Sequence, residues 1–169
     1  MRSTLGKSKI LVMNEHLKQF FKIKSNELYP FAYSLLPDDL QAGQLVIDAI
    51  DLILLDKDVS EKFPLYYGSE EELRKDQSKL TTVLYSHTYR LAKRRVGQLS
   101  GSFAIPHGFG PFYRTPLDSR AVVFLREKLS FSWERIGAIV GADRIVAIEK
   151  YHLGVNSVYE YLGRPTDVN

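Results

Sequence analysis

Cysteine is absent from the sequence, and histidine is scarce. Without thiols, the 169-residue chain cannot form disulfides, thiolate metal sites or a cysteine nucleophile. The histidines do not lie at a close metal-ligand spacing: His16, His87, His107 and His152. We therefore expect neither a metal nor a cofactor.

Long apolar runs are also missing. The most apolar stretch, residues 45–55, is interrupted by Asp48 and Asp51, whereas a membrane span requires about 20 consecutive apolar residues. The apolar run at residues 10–13 is too short for a signal peptide. These absences predict a cytoplasmic protein without a membrane partner.

The remaining composition is typical of a folded protein. Apolar residues make up 44% of the chain and charged residues 25%, which argues against wholesale disorder. The formal net charge of +3 permits nucleic acid as a partner without requiring it. A chain of this length has room for one medium domain or two small ones.

Apolar residues recur at helical spacing, and no segment alternates as a strand would. This pattern predicts an all-α fold of two small helical domains, residues 1–96 and residues 117–169. The linker between them, residues 97–116, is rich in glycine and proline, which interrupt helices. The linker also contains aromatic rings that we expect to pack on one of the two domains: Phe103, Phe109, Phe112 and Tyr113.

Capping residues divide the first domain into helices. Asn14 is expected to cap a short first helix, and Ser25 to precede a second helix that ends at Pro37. The doublet Asp38-Asp39 indicates the start of a third helix, because carboxylates favour the positive end of the helix dipole.

The last helix of the first domain carries a dense basic cluster. We expect it to begin at Glu70, after a break over residues 56–67. Its cations fall close enough together for several to reach one phosphate backbone: Arg90, Lys93, Arg94 and Arg95. Tyr85 and Tyr89 precede them on the same helix and are of the type that stacks on bases. The alternative is a solvated basic helix end stabilised by the dipole.

The second domain is typical of a helix-turn-helix. Asp118 and Ser132 are expected to cap its first two helices, and Gly141 to end the second of these in a left-handed conformation. Asp143 is expected to cap the last helix, and the small Ala138 to let two helices cross closely.

The last helix is expected to present one face to the core and the other to solvent. Its inward residues are predicted to be Ile145, Ile148, Tyr151 and Val155. Its outward residues, which the major groove of DNA could accept, are Arg144, Glu149, Lys150 and His152, with Asn156 beyond them. The alternative is a helical hairpin that serves only packing.

Three stretches together resemble a bacterial sigma factor of the sigma-70 superfamily, of the two-domain extracytoplasmic-function type. SNELYPFAYSLLPDDLQAGQLVIDAIDLIL is similar to the first helices of that family, and KLTTVLYSHTYRLAKRR to a later helix. LDSRAVVFLREKLSFSWERIGAIVGADRIVAIEKYHLGVNSV is similar to its C-terminal helix-turn-helix. The last match is the most specific, because spacing, apolar positions and glycine align.

The resemblance implies a transcription initiation protein with no enzymatic activity, whose partners are core RNA polymerase and promoter DNA. Polymerase contact would fall on residues 41–48, including Gln41, Gln44 and Asp48. Contact with the −10 element would fall on residues 79–95. Reading of the −35 element would fall on residues 144–150, with Arg120 and Arg126 on the DNA backbone. The sequence leaves open whether an anti-sigma factor is a further partner.

Departures from the family pattern motivate two alternatives. Gly43 and Gln44 stand where the family has acidic residues, and Val83 where it has tryptophan. In the second domain, Arg135 replaces the glutamate of an EIA motif, and Val146 a threonine. One alternative is therefore a degenerate sigma-like regulator that acts by protein contact, and the other a stand-alone helix-turn-helix DNA-binding protein.

No catalytic group of residues is recognisable. Ser86 and His87 are adjacent on one helix and therefore point in different directions. The sequence from His107 to Gly110 contains a G-x-G, but no strand precedes it. Also left open is the arrangement of the two domains, including one in which they pack together and cover their DNA-facing surfaces.

Overall fold

The structure, a computed structural model, describes residues 14–64, 66–99 and 103–162. For residues 161 and 162 it describes the backbone alone. Across these ranges the chain forms eight helices and no strand, which confirms the predicted all-α fold. The helices are α1 (Glu15–Leu35), α2 (Asp39–Leu55), α3 (Lys57–Lys62), α4 (Glu70–Gln98), α5 (Gly110–Arg114), α6 (Leu117–Glu127), α7 (Trp133–Val140) and α8 (Arg144–Leu162). The apolar run at residues 10–13, Gly101 and residues 163–169 lie outside the described residues.

The N-terminal block consists of α1 to α4. The Asp38 carboxylate caps α2 by accepting a 2.9 Å hydrogen bond from the Gln41 amide, and Ser69 caps α4. Both helix starts agree with the sequence prediction at Asp38-Asp39 and Glu70. Helices α1, α2 and α4 pack on one another and bury the apolar face of each.

Three expectations for local structure in the first two-thirds of the chain are wrong. Ser25 does not begin a new helix, because its hydroxyl donates to the Lys22 carbonyl within a single continuous α1. The predicted break over residues 56–67 contains α3, which Asp56 caps through the Asp58 amide. The linker contains α5, with Pro111 in its first turn, where a missing N–H costs nothing.

The C-terminal block consists of α6, α7 and α8 and has the helix-turn-helix geometry. Ser132 caps α7, and Gly141 ends it with a φ of 66°, in the left-handed region that favours glycine. Asp143 accepts a 2.9 Å hydrogen bond from the Val146 amide at the start of α8. These three sequence predictions are confirmed.

Two predictions for the same block are wrong. Asp118 does not cap α6, which begins after Pro116 without a side-chain cap. Ala138 is exposed, and the close approach occurs instead at the buried Gly137. A Cβ added at Gly137 would lie 2.5 Å from the carbonyl oxygen of Ala142, so only glycine fits this corner unless the turn moves.

The inward face of α8 differs from the predicted one at its first position. Ile145 is 70% exposed, whereas Ala147 is fully buried. Gly154 is also buried, and a Cβ there would lie 2.8 Å from the Val123 side chain of α6. The small residues of α8 therefore set how closely it packs on α6.

The two blocks pack against each other through α1 with α6 and α4 with α7. The Phe31 ring lies between the rings of Tyr85 and Phe124, with centroid distances of 5.2 and 5.6 Å. Phe131 of the C-terminal block contacts the other side of Tyr85, edge-on at 5.4 Å. The buried apolar core is consequently continuous from one block to the other.

Candidate nucleic-acid and polymerase interfaces

The basic end of α4 contains both free and paired cations. In the part of the chain that the structure describes, Arg90 and Arg94 are exposed and have neither a hydrogen bond nor an ion pair. Arg95 forms an ion pair with Asp48 of α2, and Lys93 lies 3.2 Å from Asp118 of α6. Only two of the four predicted phosphate-binding cations are therefore free in this arrangement.

Tyr85 is in the core rather than on the surface. Its side chain is 1% exposed, and its hydroxyl donates a 3.3 Å hydrogen bond to the Glu27 carbonyl. Burial raises the pKa of Tyr85 to about 12. With Phe31 and Phe131 on its two sides, the ring cannot stack on a base unless the blocks separate.

Tyr89 and Asp118 join the two blocks. The Tyr89 side chain is 3% exposed, and its hydroxyl donates a 2.5 Å hydrogen bond to one carboxylate oxygen of Asp118. The other Asp118 oxygen lies 2.8 Å from the ammonium of Lys150 and 3.4 Å from that of Lys93. One carboxylate of α6 thus gathers three predicted DNA-binding residues, two from α4 and one from α8.

The electrostatics of this cluster favour the charged carboxylate. Burial by itself would raise the pKa of Asp118, but hydrogen bonds from Lys150, Tyr89 and Lys93 outweigh it and lower the pKa to about 2. Burial and the same carboxylate raise the pKa of the Tyr89 phenol. The cluster therefore holds a neutral tyrosine, a negative aspartate and two positive lysines at neutral pH.

Arg120, predicted to contact the DNA backbone, lies at the interface between the blocks and is 8% exposed. Its guanidinium donates to the carbonyls of Ser34 (3.2 Å) and Leu35 (2.8 Å) at the end of α1. It also donates to the carbonyls of Tyr113 (3.1 Å) and Thr115 (2.7 Å) in the linker. A single cation thereby satisfies helix-terminal carbonyls of α1 and fixes the linker against them.

Two further arginines of the C-terminal block are engaged by aromatic rings. Arg126 lies 4.8 Å from the Trp133 ring centroid and donates to the Phe131 carbonyl at 2.9 Å. Arg135, which replaces a glutamate of the family pattern, lies 4.0 Å from the Phe131 ring centroid. It also donates a 3.0 Å hydrogen bond to the hydroxyl of Thr82 on α4. Arg135 is therefore an interblock contact that sequence reasoning missed.

The linker aromatics pack only partly as expected, because they contact both blocks rather than one and Phe109 is 59% exposed. The Tyr113 hydroxyl donates a 3.1 Å hydrogen bond to the Tyr33 carbonyl of α1. Phe109 and Phe112 line an apolar cleft of about 670 Å³ between α1, α6 and α8. The linker therefore bridges the two blocks and does not act as a free tether over residues 103–116.

The outward face of α8 is exposed, as the helix-turn-helix interpretation requires. Glu149 and His152 are exposed there, and Arg144 forms a 3.5 Å ion pair with Glu134 of α7. Lys150 is the exception, because its ammonium is turned toward Asp118.

The predicted polymerase-binding stretch lies on the outer side of α2. Gln44 and Asp48 are joined by a 2.8 Å hydrogen bond, and Gln41 lies one turn earlier. Leu40 and Ile47 are exposed beside them, although both are large apolar residues. Sequence reasoning missed these two, since the apolar pattern of α2 covers more than one face.

Two kinds of site are absent from the described residues. None of their helices is long and apolar enough to cross a membrane. No group of three or more histidines and carboxylates in these ranges is arranged to hold a metal ion.

Comparison with known proteins supports the fold and nothing finer. No protein-family model and no curated protein matches the sequence. Four chains among solved structures match, including the sigma factor RpoE from Bartonella quintana, solved in complex with the anti-sigma factor NepR. That likeness has a TM-score of 0.59 and 21% sequence identity and covers 90% of this chain and 98% of the other. The chain therefore shares the fold of this sigma factor, which agrees with the fold that the sequence resemblance implies.

Proposed function

We propose that the chain is a sigma-like transcription initiation protein that binds core RNA polymerase and directs it to promoter DNA. The observation that carries the proposal is the sigma-factor fold along 90% of the chain, with a helix-turn-helix at the end where that role requires one. The protein itself would supply binding and strand separation rather than bond chemistry.

Polymerase binding is assigned to the outer face of α2. Exposed Leu40 and Ile47 are suited to burial against a partner, and Gln41 and Gln44 beside them can hydrogen-bond. Asp48 supplies negative charge on the same face, although Arg95 now neutralises it. Polymerase and Arg95 would therefore compete for this carboxylate.

DNA contact is assigned to the basic end of α4, beginning with the free cations Arg90 and Arg94. Full contact requires the blocks to separate, because Tyr85 and Tyr89 are buried between them. Separation would also release Lys93 of α4 from Asp118, whereas the ion pair between Lys150 and Asp118 lies within the C-terminal block. We therefore propose that promoter binding follows an opening step, driven by the larger contact area that polymerase offers.

Reconstitution with bacterial core RNA polymerase tests the proposal. Promoter-dependent transcripts, found by sequencing the products made on a fragmented genomic library, are the expected result. Core binding without transcripts would favour a regulator, and duplex binding without core would favour a stand-alone DNA-binding protein. The double variant Leu40→Asp, Ile47→Asp tests the polymerase-binding face. It should lose core binding while remaining folded, because both side chains are exposed.

A second candidate function is a regulator that acts by protein contact and does not open promoters. The observation that favours it is the internal pairing of groups assigned to DNA: Tyr89, Lys93 and Lys150 with Asp118, and Arg95 with Asp48. The similar solved protein is bound to an anti-sigma factor, which supports a regulatory protein partner for this chain as well.

A further inference from the structure

The outward face of α8 has an unusual composition for a helix expected to enter a DNA groove. Ile145 is 70% exposed, and Val146 and Leu153 are also exposed. Acidic and neutral polar residues lie between them on the same side of the helix: Glu149, His152, Asn156 and Glu160. The face is therefore apolar and acidic.

Cations are missing from this face within the part of the chain that the structure describes. Lys150, the lysine of α8, is turned to the other side, where its ammonium lies 2.8 Å from Asp118. Arg144 at the helix start is paired with Glu134 of α7. The exposed Asp143 adds a further negative charge at the same end.

Such a face is poorly suited to DNA. Phosphate contacts supply a large share of the affinity of DNA-binding proteins, and lysine and arginine beside the recognition helix are their main source of positive charge. Glu149 could accept a hydrogen bond from cytosine, but Glu149 and Glu160 would both face a groove of strongly negative potential. A partner with apolar residues and positive charge is complementary in both respects.

We infer that the outward face of α8 is a docking surface for a positively charged amphipathic helix of a protein partner. Ile145, Val146 and Leu153 would be covered by the apolar stripe of that helix, and Glu149 and Glu160 would pair with lysines or arginines at its edges. This inference goes beyond the proposed function: it gives the outward face of α8 a protein partner in place of the −35 element, while core binding through α2 and DNA contact through α4 do not depend on it.

A defined pair of peptides tests the inference on the full chain. The probe is a helical peptide of about 18 leucines and lysines with apolar residues at helical spacing, and the comparison peptide has glutamate at every lysine position. We expect the lysine peptide to bind at least about tenfold more tightly than the glutamate peptide. The double variant Glu149→Lys, Glu160→Lys should reverse this preference. Ile145→Asp should weaken the binding of both peptides.

Matched controls use residues of equal exposure elsewhere. Leu55 on α2 is 78% exposed, so Leu55→Asp controls for Ile145→Asp, and Glu61→Lys on α3 controls for the charge change. Peptide binding that is the same for both peptides, or that is unaffected by the α8 variants, would overturn the inference. A DNA sequence selected from a random duplex library would also overturn the inference under one condition. The condition is that Ile145→Asp abolishes its binding and Glu149→Lys leaves its binding intact. Transcription with core polymerase, measured separately on the same variants, reports on the proposed function.

Discussion

The Tyr89 hydroxyl of α4 donates a 2.5 Å hydrogen bond to Asp118 of α6, across the boundary between the two helical blocks. The same carboxylate binds Lys93 and Lys150. One acidic group therefore holds residues that the sequence assigns to two separate DNA contacts. The contacts of Tyr89 and Lys93 with Asp118 hold the two blocks together, whereas the contact of Lys150 lies within the C-terminal block.

Replacing Asp118 by asparagine should loosen the interface. The charge that Lys93 and Lys150 share would be lost, and we expect the free energy of unfolding to fall by ~1–2 kcal/mol at pH 7 in urea titrations. The low pKa of Asp118, about 2 against 3.8, means that this contribution is present above about pH 4 and is lost as pH falls toward 2. Asp58→Asn, on exposed α3, is the control, and equal stability of the two variants would contradict the assignment.

Arg120 should resist conservative replacement. Arg120→Lys retains the charge but cannot reach four carbonyls on two elements, so we expect a loss of ~2–4 kcal/mol in the free energy of unfolding. The exposed Arg74→Lys serves as the control and should change stability by no more than ~0.5 kcal/mol. A loss at Arg120 no larger than that at Arg74 would show that the carbonyl contacts do not hold the blocks together.

Glycine should be required at the corner of the helix-turn-helix. In Gly137→Ala the new Cβ would meet the Ala142 carbonyl oxygen at 2.5 Å, and moving the turn should cost ~1–3 kcal/mol. Gly43→Ala in α2 has open space and should instead stabilise the protein by ~0.5–1 kcal/mol. Thermal unfolding of both variants checks the prediction, which an unchanged Gly137→Ala protein would refute.

His87 should make stability depend on pH near neutrality. Burial, with a smaller effect of Arg90, lowers the pKa of His87, so the folded protein keeps the imidazole neutral where the unfolded chain protonates it. The free energy of unfolding should therefore be fully retained above pH 6.5 and decline as pH falls below that value. His87→Leu should flatten this part of the profile, as measured by urea titrations at several pH values, and an unchanged profile would contradict the prediction.

The two free cations of α4 should contribute to DNA binding. Removing Arg90 and Arg94 together should weaken single-stranded DNA binding and lower the slope of log affinity against log salt by about 1–2. Lys57→Ala with Lys62→Ala, both exposed on α3, is the matched control. Fluorescence anisotropy at several salt concentrations measures the slope, and an unchanged slope would remove the two arginines from the DNA-binding surface.

Local chemistry made several features of the fold predictable from the sequence. The helix starts at Asp38-Asp39 and at Ser132, and the left-handed end at Gly141, depend on hydrogen bonds between near neighbours along the chain. A capping residue or a glycine in a left-handed position acts within one turn. The arrangement of the helix-turn-helix follows from these same local signals.

Features set by tertiary packing were not predictable in the same way. Asp118 has the chemistry of a cap, but its carboxylate instead accepts a hydrogen bond from Tyr89 of the other block. Tyr85 lies beside a basic cluster in the sequence, which favours a role in stacking on bases. Nothing local indicates that Phe131, far along the chain, packs on its ring.

The distance between α4 and α7 in the free and polymerase-bound protein tests the central claim most directly. Because the chain has no cysteine, Lys79→Cys and Ala138→Cys on exposed positions of these contacting helices provide unique spin-label sites. Pulsed dipolar spectroscopy should give one narrow, short distance for the free protein and a longer one with core RNA polymerase. A free protein with widely separated labels, or the same short distance in the complex, would contradict the account.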